Sequence, residues 1–305
     1  MSYPVNPRID LAFKRIFGVE QNKDLTISLI NSIVSEPDQV KDITLLNPYN
    51  PQHFYEDKLS ILDIKAQGCN GRLFNIEVQI TDEADYDKRA LYYWAKLYTD
   101  QLKKGDDYGK LEKTIGIHIL NIPSIFDTKK YHNKFTLKEA VEDFEFFKDI
   151  ELHTIELSKF VESHPEEDLQ AFVKKIQSAL DIWSAFLTKY DLMNPEQLPV
   201  PMNTPELKKA LEVLEHINMQ PEEREAYESR LKWYRIQKNS LKKQFEDGIA
   251  IGKAEGLVEG EVKGQEKEKL VIASKLMAHG MAIEDIVKIS GLTHQQVHEL
   301  AAQKV

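Results

Sequence analysis

The chain has 305 residues and a formal net charge of −10 at pH 7, which argues against a surface coated in basic residues for nucleic acid but allows a local basic cleft. Hydrophobic residues make up 42% and charged residues 30%, an ordinary balance for a protein that buries a core. The lack of a long apolar run or a secretory signal pattern predicts no membrane span, and the single cysteine, Cys69, predicts a cytoplasmic protein without internal disulfides.

The first elements predicted are two helices and a strand. Residues 8–17 place apolar side chains at helical spacing, with Asp10 and Lys14 four residues apart on a different face. This spacing stabilises a helix through a surface ion pair, which is the simplest interpretation of the two residues. A second helix is expected at about 23–35, and a strand at 42–48 that ends at the Asn-Pro pairs of "NPYNP".

Residues 59–67 and 72–80 predict a β-hairpin, because polar and apolar residues alternate along most of both segments. Pairing Gly68 with Arg72 leaves a three-residue loop with Gly71 in the left-handed conformation, a common hairpin geometry. In this register one face is wholly apolar, and a slip of one residue would mix the apolar and polar sets. The apolar pairs are Leu62–Val78, Ile64–Ile76 and Ala66–Phe74.

The other face of the hairpin is polar. Its pairs are Asp63–Glu77, Lys65–Asn75 and Ile61–Gln79. Like charges directly opposite one another destabilise a sheet, and Lys65, diagonal to Glu77, offsets only part of that cost. A divalent cation between the carboxylates offsets more, since two carboxylates, a backbone carbonyl and waters suit Mg²⁺. The alternative is an ordinary solvated face that tolerates an Asp–Glu pair.

Residues 83–105 predict a long helix that ends at Gly105, with Lys103 and Lys104 in its last turn. One side of this helix carries the residues Arg89, Tyr92, Tyr93 and Lys96. A mixed aromatic and basic stripe is suited to follow a phosphate backbone and stack on bases. Alternatively, the tyrosines pack on a sheet while the cationic side chains extend to water.

The remaining core elements are less distinctive. Residues 113–122 predict a strand buried on both faces, in which His118 fits a core histidine better than a catalytic one. A further strand is expected at 149–160 and an amphipathic helix at 166–190. Residues 194–202 are rich in proline and predict a linker.

After this linker the sequence predicts helices to its end, the first two at 204–219 and 221–248. Glycines then recur every four residues, at Gly248, Gly252, Gly256, Gly260 and Gly264. Because glycine costs about 1 kcal/mol in a helix relative to alanine, this segment is either a self-associating arm or an inert hinge.

Three short helices are expected last, at about 266–279, 282–290 and 293–303. Gly280 and Gly291 end the first two, and a capping box of Thr293 and Gln296 begins the third. The outline is similar to a helix-turn-helix, but the would-be recognition helix lacks a basic set. A packing or oligomerisation module is therefore favoured over DNA reading.

The order helix, strand, strand, strand, helix, strand, with the acidic hairpin "LDIKAQ…FNIEVQI" in the middle, resembles the PD-(D/E)XK nuclease superfamily. The segments "RIDLAFKRIFG", "NIEVQ" and "KRALYYWAKLY" resemble one branch, the bacterial recombination-promoting nucleases (the Rpn family), also described as putative transposases. The "IELSKF" strand, the "WSAFL" helix and the "GKAEGLVEGEVKG" arm extend the resemblance over most of the chain.

The resemblance implies an α/β fold, with a restriction-endonuclease-like core of mixed sheet flanked by helices and an all-helical C-terminal extension. The expected domains are a nuclease-like domain at 1–193, a helical linker or hairpin region at 194–240, and a Gly-periodic arm with a small helical unit at 241–305. The implied activity is metal-dependent DNA endonuclease cleavage, with Mg²⁺ or another divalent cation such as Mn²⁺ or Ca²⁺ as cofactor.

By position, Asp63 matches the first acid of the family motif and Glu77 the second. The implied metal ligands are Asp63, Glu77 and the Val78 carbonyl. Gln79 stands where most of the superfamily has lysine; it would orient the attacking water, and Lys65 is a candidate substitute for the missing cation. Asp10 matches the acid that the first helix supplies in many relatives. The expected contacts to the DNA backbone are Arg89, Tyr92, Lys96 and Lys14.

Three rival interpretations stay open. One is a DNA-binding or assembly protein with an inactive nuclease fold, because Gln79 replaces the lysine and the chain is acidic. Another is a transposase that joins DNA ends, although no third carboxylate is clearly placed for strand transfer. The last is an interaction protein that forms a homo-oligomer through its helical tail.

Overall fold

The computed structural model describes most of the chain, with only the main chain for Asp63 and Leu241. The described ranges are 5–47, 63–80, 85–165, 168–217 and 219–302. The strand residues predicted at 59–62, with their pairings, lie outside these ranges. The chain divides into two compact units, Met1–Arg235 and Ile236–Val305. Within the described ranges, no helix is both long enough and apolar enough to cross a membrane.

The first unit is built on a mixed sheet. Its strands are β1 Ile43–Leu45, β2 Asp63–Gly68, β3 Leu73–Gln79, β4 Thr114–Leu120, β5 His132–Lys138 and β6 Glu145–Glu156. The described strands form one six-stranded sheet in the order β1-β2-β3-β4-β6-β5. β1, β2 and β3 pair antiparallel, β4 lies parallel to both β3 and β6, and β5 pairs antiparallel with β6 at the edge. The predicted mixed sheet is confirmed.

The β2–β3 hairpin adopts the predicted register over its described length. The pairs include Asp63–Glu77, Ile64–Ile76, Lys65–Asn75 and Ala66–Phe74. The Gly68 amide donates a hydrogen bond to the Arg72 carbonyl at 2.9 Å, which closes the turn. Gly71 has a φ of +85°, the left-handed conformation that glycine adopts without steric cost.

Helices cover both faces of this sheet. Those of the first unit are α1 Asp10–Phe17, α2 Lys23–Ile33, α3 Tyr86–Thr99, α4 Leu157–Ser163, α5 Leu169–Val173, α6 Ala179–Lys189 and α7 Pro205–Glu215. One apolar core joins α1, α2, α6 and α7 to the face of the sheet that carries Ile64, Ile76 and Ile117. The other face lies under α3, where the Trp94 indole donates to the Thr114 carbonyl at 2.7 Å.

Several predicted boundaries are wrong. Helix α3 ends at Thr99 and not at Gly105, so Lys103 and Lys104 lie beyond its last turn. The predicted strand at 149–160 ends at Glu156, after which the chain turns into α4. The predicted helix at 166–190 is two helices, because a capping box between the Ser178 and Asp181 side chains and main chain starts α6. Strand β5 was not predicted.

The proline-rich segment 194–202 packs against the first unit, since Met202 is fully buried in its core. Helix α7 follows, capped by the Thr204 side chain. The next helix, α8, runs without interruption over Pro221–Ala278, through the whole glycine-periodic segment. Its first turns pack Tyr227 and Tyr234 against α1.

The second unit contains the remainder of α8 with α9 Ile283–Ser290 and α10 His294–Ala302. Gly280 and Gly291 have φ values of +76° and +70° and end α8 and α9 as predicted. The predicted capping box of α10 is present, because Gln296 N donates to Thr293 Oγ1 and Thr293 N donates to Gln296 Oε1. A small apolar core of Ala273, Ile286, Leu292 and Val297 holds these helices together.

Candidate active site

The polar residues of β3 converge on the face of the sheet under α3. Strand alternation puts Asn75, Glu77 and Gln79 on this face, and the register puts main-chain position 63 opposite position 77. β4 runs parallel alongside, with His118 next to Glu77. Two acidic positions, a histidine and two amides therefore share the sheet face near the end of β3.

Glu77 is almost completely buried, with 5% of its surface exposed. Its Oε1 accepts a hydrogen bond from Asn75 Nδ2 at 3.2 Å, and its Oε2 lies 3.9 Å from His118 Nδ1. Asn75 Oδ1 is buried and has no hydrogen-bond partner in the described part of the chain. Asn75 thus fixes the orientation of the Glu77 carboxylate while its own acceptor stays unsatisfied.

His118 lies beneath α3 as a buried neutral base. Its Nδ1 is 2.9 Å from the Tyr86 hydroxyl, and its Nε2 is buried without a partner among the described residues. Burial, together with the nearby charges of Arg89 and His153, lowers the pKa of His118 to about 4. A Cβ on Gly116 would lie 3.0 Å from His118 Nε2, so the glycine makes room for the imidazole.

Gln79 is tied to helix α3. Its Oε1 accepts a hydrogen bond from Arg89 Nη2 at 2.7 Å. The Arg89 guanidinium carbon lies 5.0 Å from the centre of the Tyr86 ring, a cation–π distance. Because Tyr86 in turn contacts His118, a continuous set of contacts joins Gln79 to the neighbour of Glu77.

The predicted stripe on α3 divides into an inward and an outward part. Arg89 is half-buried and turned toward Gln79, whereas Tyr92 and Lys96 are exposed. The Tyr92 and Tyr93 rings meet edge to face, 5.6 Å apart. The structure therefore brings Arg89 to the residues of the hairpin and leaves Tyr92 and Lys96 on the open side of α3.

The N-terminus of α1 reaches the end of β3. Arg8 Nη1 donates to Asn121 Oδ1 at 2.7 Å, and the main-chain N–H of Asn121 donates to the main-chain carbonyl of Gln79 at 2.9 Å. Asp10, two residues beyond Arg8, lies 3.5 Å from Arg230 Nε of α8. Burial raises the pKa of the Asp10 carboxyl, and the Arg230 charge opposes that rise.

The other two predicted cations occupy different settings. Lys14 is 4% exposed, and burial of this degree favours a structural role over contact with a phosphate. Lys65 is half-buried opposite Asn75, and its main-chain amide donates to Asn47 Oδ1 at 2.7 Å. Lys65 therefore belongs to the polar face, as the register predicts.

A second buried acid lies on the opposite face of the sheet. Glu151 contacts Lys113 at 2.8 Å, Lys134 at 3.0 Å and His153 at 2.8 Å. Although burial acts to raise it, the hydrogen bonds from His153, Lys113 and Lys134 hold the pKa of Glu151 well below its usual range. Lys113 also reaches Asp38 at 2.7 Å, so this network is an internally neutralised structural unit.

A divalent cation has oxygen donors at the end of β3. The described side chains contain no group of three or more His, Cys, Asp and Glu residues placed to hold a metal. The Glu77 carboxylate, an acidic position opposite it and the main-chain carbonyl of Val78 remain, and such oxygen donors fit a hard cation that keeps several waters.

Sequence reasoning missed two contacts around Glu77, that of His118 with Glu77 and that of Tyr86 with His118. The expected burial of His118 is confirmed, with 1% of its surface exposed, but its position beside Glu77 depends on the parallel pairing of β3 with β4, which is not local in sequence. Tyr86 carried no signal of its own, since its contact with His118 depends on how α3 docks. Asn75 was assigned to the correct face, because alternation alone decides that point.

Comparison with known proteins agrees with this architecture. The family model of the PD-(D/E)XK nuclease family transposases matches residues 7–244. No curated protein and no solved structure matches the chain significantly. The family match covers all of the sheet, the helices that flank it and the start of α8, so the chain is a member of the PD-(D/E)XK nuclease family transposases.

Proposed function

We propose that this protein is a Mg²⁺-dependent endonuclease that hydrolyses phosphodiester bonds in DNA. The observation that supports this most is the pairing of Asp63 with Glu77 near the end of β3 in a chain of this family. Opposed like charges destabilise a sheet, and a shared cation removes that cost. The burial of Glu77 strengthens the argument, because a buried carboxylate requires compensation.

The residues that would hold the cation are Asp63, Glu77 and the Val78 carbonyl. Mg²⁺, Mn²⁺ and Ca²⁺ all accept carboxylate, carbonyl and water oxygens. A divalent cation bound there polarises the phosphate and lowers the pKa of a water. Asn75 keeps the Glu77 carboxylate in one orientation, as outer-shell partners of metal ligands do, and His118 lies alongside at 3.9 Å.

The chain's own residues would orient the reactants. Gln79 positions the attacking water, whose oxygen bonds to phosphorus as the bond from phosphorus to the leaving sugar oxygen breaks. The water gives up a proton to solvent and the leaving oxygen takes one up. Asp10 contributes a further carboxylate from the start of α1, and Lys65 a cation on the polar face.

DNA would lie along the open side of α3. Tyr92 and Lys96 are exposed there and suit contact with bases and phosphates, while Arg89 approaches from its inward position beside Gln79. The net charge of −10 makes such a local set of cations necessary for DNA to approach.

The test is the nicking of supercoiled plasmid with Mg²⁺ and with EDTA. The parent is compared with Asp63→Ala and Glu77→Ala. The matched control is Glu142→Ala, which removes one exposed acid from the turn between β5 and β6. We expect cleavage by the parent and Glu142→Ala only, and only with Mg²⁺. A parent that binds DNA without cutting it would instead support the rival of an inactive nuclease fold.

We also propose self-association through the second unit. Its part of α8 exposes large apolar side chains, which soluble surfaces usually limit and interfaces use. They include Ile249, Ile251, Leu257, Val258 and Val262. Light scattering of the full chain should give more than one chain per particle, and the double variant Leu257→Lys/Val258→Lys should give one. A single-chain parent would contradict this proposal.

A further inference from the structure

Position 79 poses a problem that the proposed function leaves open. Most of the superfamily resembled by this chain has a lysine there, and Gln79 carries no charge. Neutral groups stabilise a developing negative charge on phosphate less well than cations do. The inference that follows rests on the proposed function and concerns where this site obtains its positive charge.

A permanent cation makes a hydrogen bond to the Gln79 side chain. Arg89 Nη2 donates to Gln79 Oε1 at 2.7 Å. The guanidinium carbon is also 5.0 Å from the Tyr86 ring centre, and the Tyr86 hydroxyl is 2.9 Å from the buried His118. A half-buried guanidinium with these contacts is held in place before any ligand arrives.

We propose that Arg89, presented from α3 through Gln79, supplies the positive charge that a lysine at position 79 would carry and stabilises the charge developing on the scissile phosphate. An arginine suits this role because it stays protonated and its donors fork toward phosphate oxygens. Gln79 Oε1 accepts from Arg89, and in this assignment the same Gln79 side chain orients the attacking water. The two residues together perform what one lysine does elsewhere.

Other cations are less well placed for this role. Lys65 pairs with Asn75, which lies four residues before Gln79 on the same face of β3. Lys96 lies seven residues after Arg89 on α3, which is about 10 Å along the helix. The described hydrogen bond to Gln79 comes from Arg89, at 2.7 Å.

A charge-relocation experiment tests this assignment. The variants are Arg89→Met, Arg89→Lys, Gln79→Lys and the double variant Arg89→Met/Gln79→Lys. Lys96→Met and Lys96→Met/Gln79→Lys serve as matched controls, since they remove a cation of the same helix away from Gln79. Single-turnover cleavage at saturating DNA is measured with Mg²⁺, DNA affinity is measured separately, and thermal melting verifies folding.

We expect Arg89→Met to reduce the single-turnover rate about 100-fold or more, as loss of one transition-state contact does. The single-turnover rates of Arg89→Lys and of Arg89→Met/Gln79→Lys should each exceed that of Arg89→Met by at least about tenfold. Lys96→Met should mainly weaken DNA affinity, and Gln79→Lys should not correct it.

The assignment is overturned if folded Arg89→Met loses only DNA affinity, or if neither Arg89→Lys nor Gln79→Lys restores the rate. Failure of the underlying function looks different. If the parent shows no Mg²⁺-dependent cleavage, or if Glu77→Ala does not remove that cleavage, both the endonuclease proposal and the role of Arg89 are overturned.

Discussion

The two buried acids of the sheet, Glu77 and Glu151, lie on opposite faces and differ in how their surroundings satisfy them. Glu151 has Lys113, Lys134 and His153 within 3.0 Å. The neighbours of Glu77 instead include two buried polar atoms, Asn75 Oδ1 and His118 Nε2, that have no hydrogen-bond partner among the residues that the structure describes. A satisfied network supports folding, whereas an incompletely satisfied one is typical of a functional site.

The largest contrast is expected for Glu77 itself. Glu77→Ala should reduce Mg²⁺-dependent cleavage to the background level, because it removes a proposed metal ligand. Its free energy of unfolding should stay equal or rise, since the substitution removes one of the two acids at paired strand positions. Plasmid nicking and urea titration measure the two effects. A marked loss of stability with retained cleavage would reverse the comparison.

The opposite behaviour is expected for Glu151. Glu151→Ala should lower the free energy of unfolding by about 3 kcal/mol, because it removes the acid that the buried His153 and the half-buried Lys113 contact, although Lys113 keeps Asp38. Cleavage per folded molecule should remain near that of the parent. Urea titration measures the free energy of unfolding, and the cleavage rate divided by the concentration of folded protein measures the activity. An unchanged unfolding curve would show that the network has no structural role.

Acid should lower the stability of the protein through histidines on both faces of the sheet. The pKa values of His118 and His132 are lowered to about 4, mainly by burial. Between pH 6.5 and about 4 the unfolded chain therefore binds more protons, and stability falls as the pH falls. For the nearly fully buried His118 the loss reaches roughly 3 kcal/mol.

The depressed pKa of Glu151 adds to this loss only below its ordinary value of 4.5. Urea titrations between pH 7 and 4.5 that compare each histidine variant with the parent thus report on that histidine. His118→Gln and His132→Gln should each show a shallower decline than the parent. Identical slopes in all three proteins would show that neither histidine is held neutral by the fold.

A smaller effect is expected at Asn75. Asn75→Ala should lower cleavage about 10- to 100-fold, the usual cost of losing an outer-shell partner of a metal ligand. The matched control is the exposed Gln67→Ala on the same hairpin. The Mg²⁺ concentration for half-maximal cleavage should rise for Asn75→Ala, and equal values for both variants would show that Asn75 does not orient Glu77.

The sequence was most informative where a short-range rule operates. Alternation and one turn were enough to predict the pairing of Asp63 with Glu77 and the left-handed Gly71, because a slipped register would expose apolar side chains. The capping box of α10 was likewise predicted from residues four positions apart or fewer.

Features that depend on docking were not predicted from the sequence. His118 reaches Glu77 only through parallel pairing of distant strands, and Arg89 reaches Gln79 only after α3 lies on the sheet. The contact of Arg230 with Asp10 joins residues near opposite ends of the first unit. None of these contacts leaves a local pattern in the sequence.

The central claim is that Asp63 and Glu77 share one divalent cation, and Mn²⁺ binding measures this most directly. Electron paramagnetic resonance titrations should show one tight Mn²⁺ site in the parent and its loss in both Asp63→Asn and Glu77→Gln, with Glu142→Gln unchanged. Retention of that site by either Asp63→Asn or Glu77→Gln at parental affinity would contradict the claim.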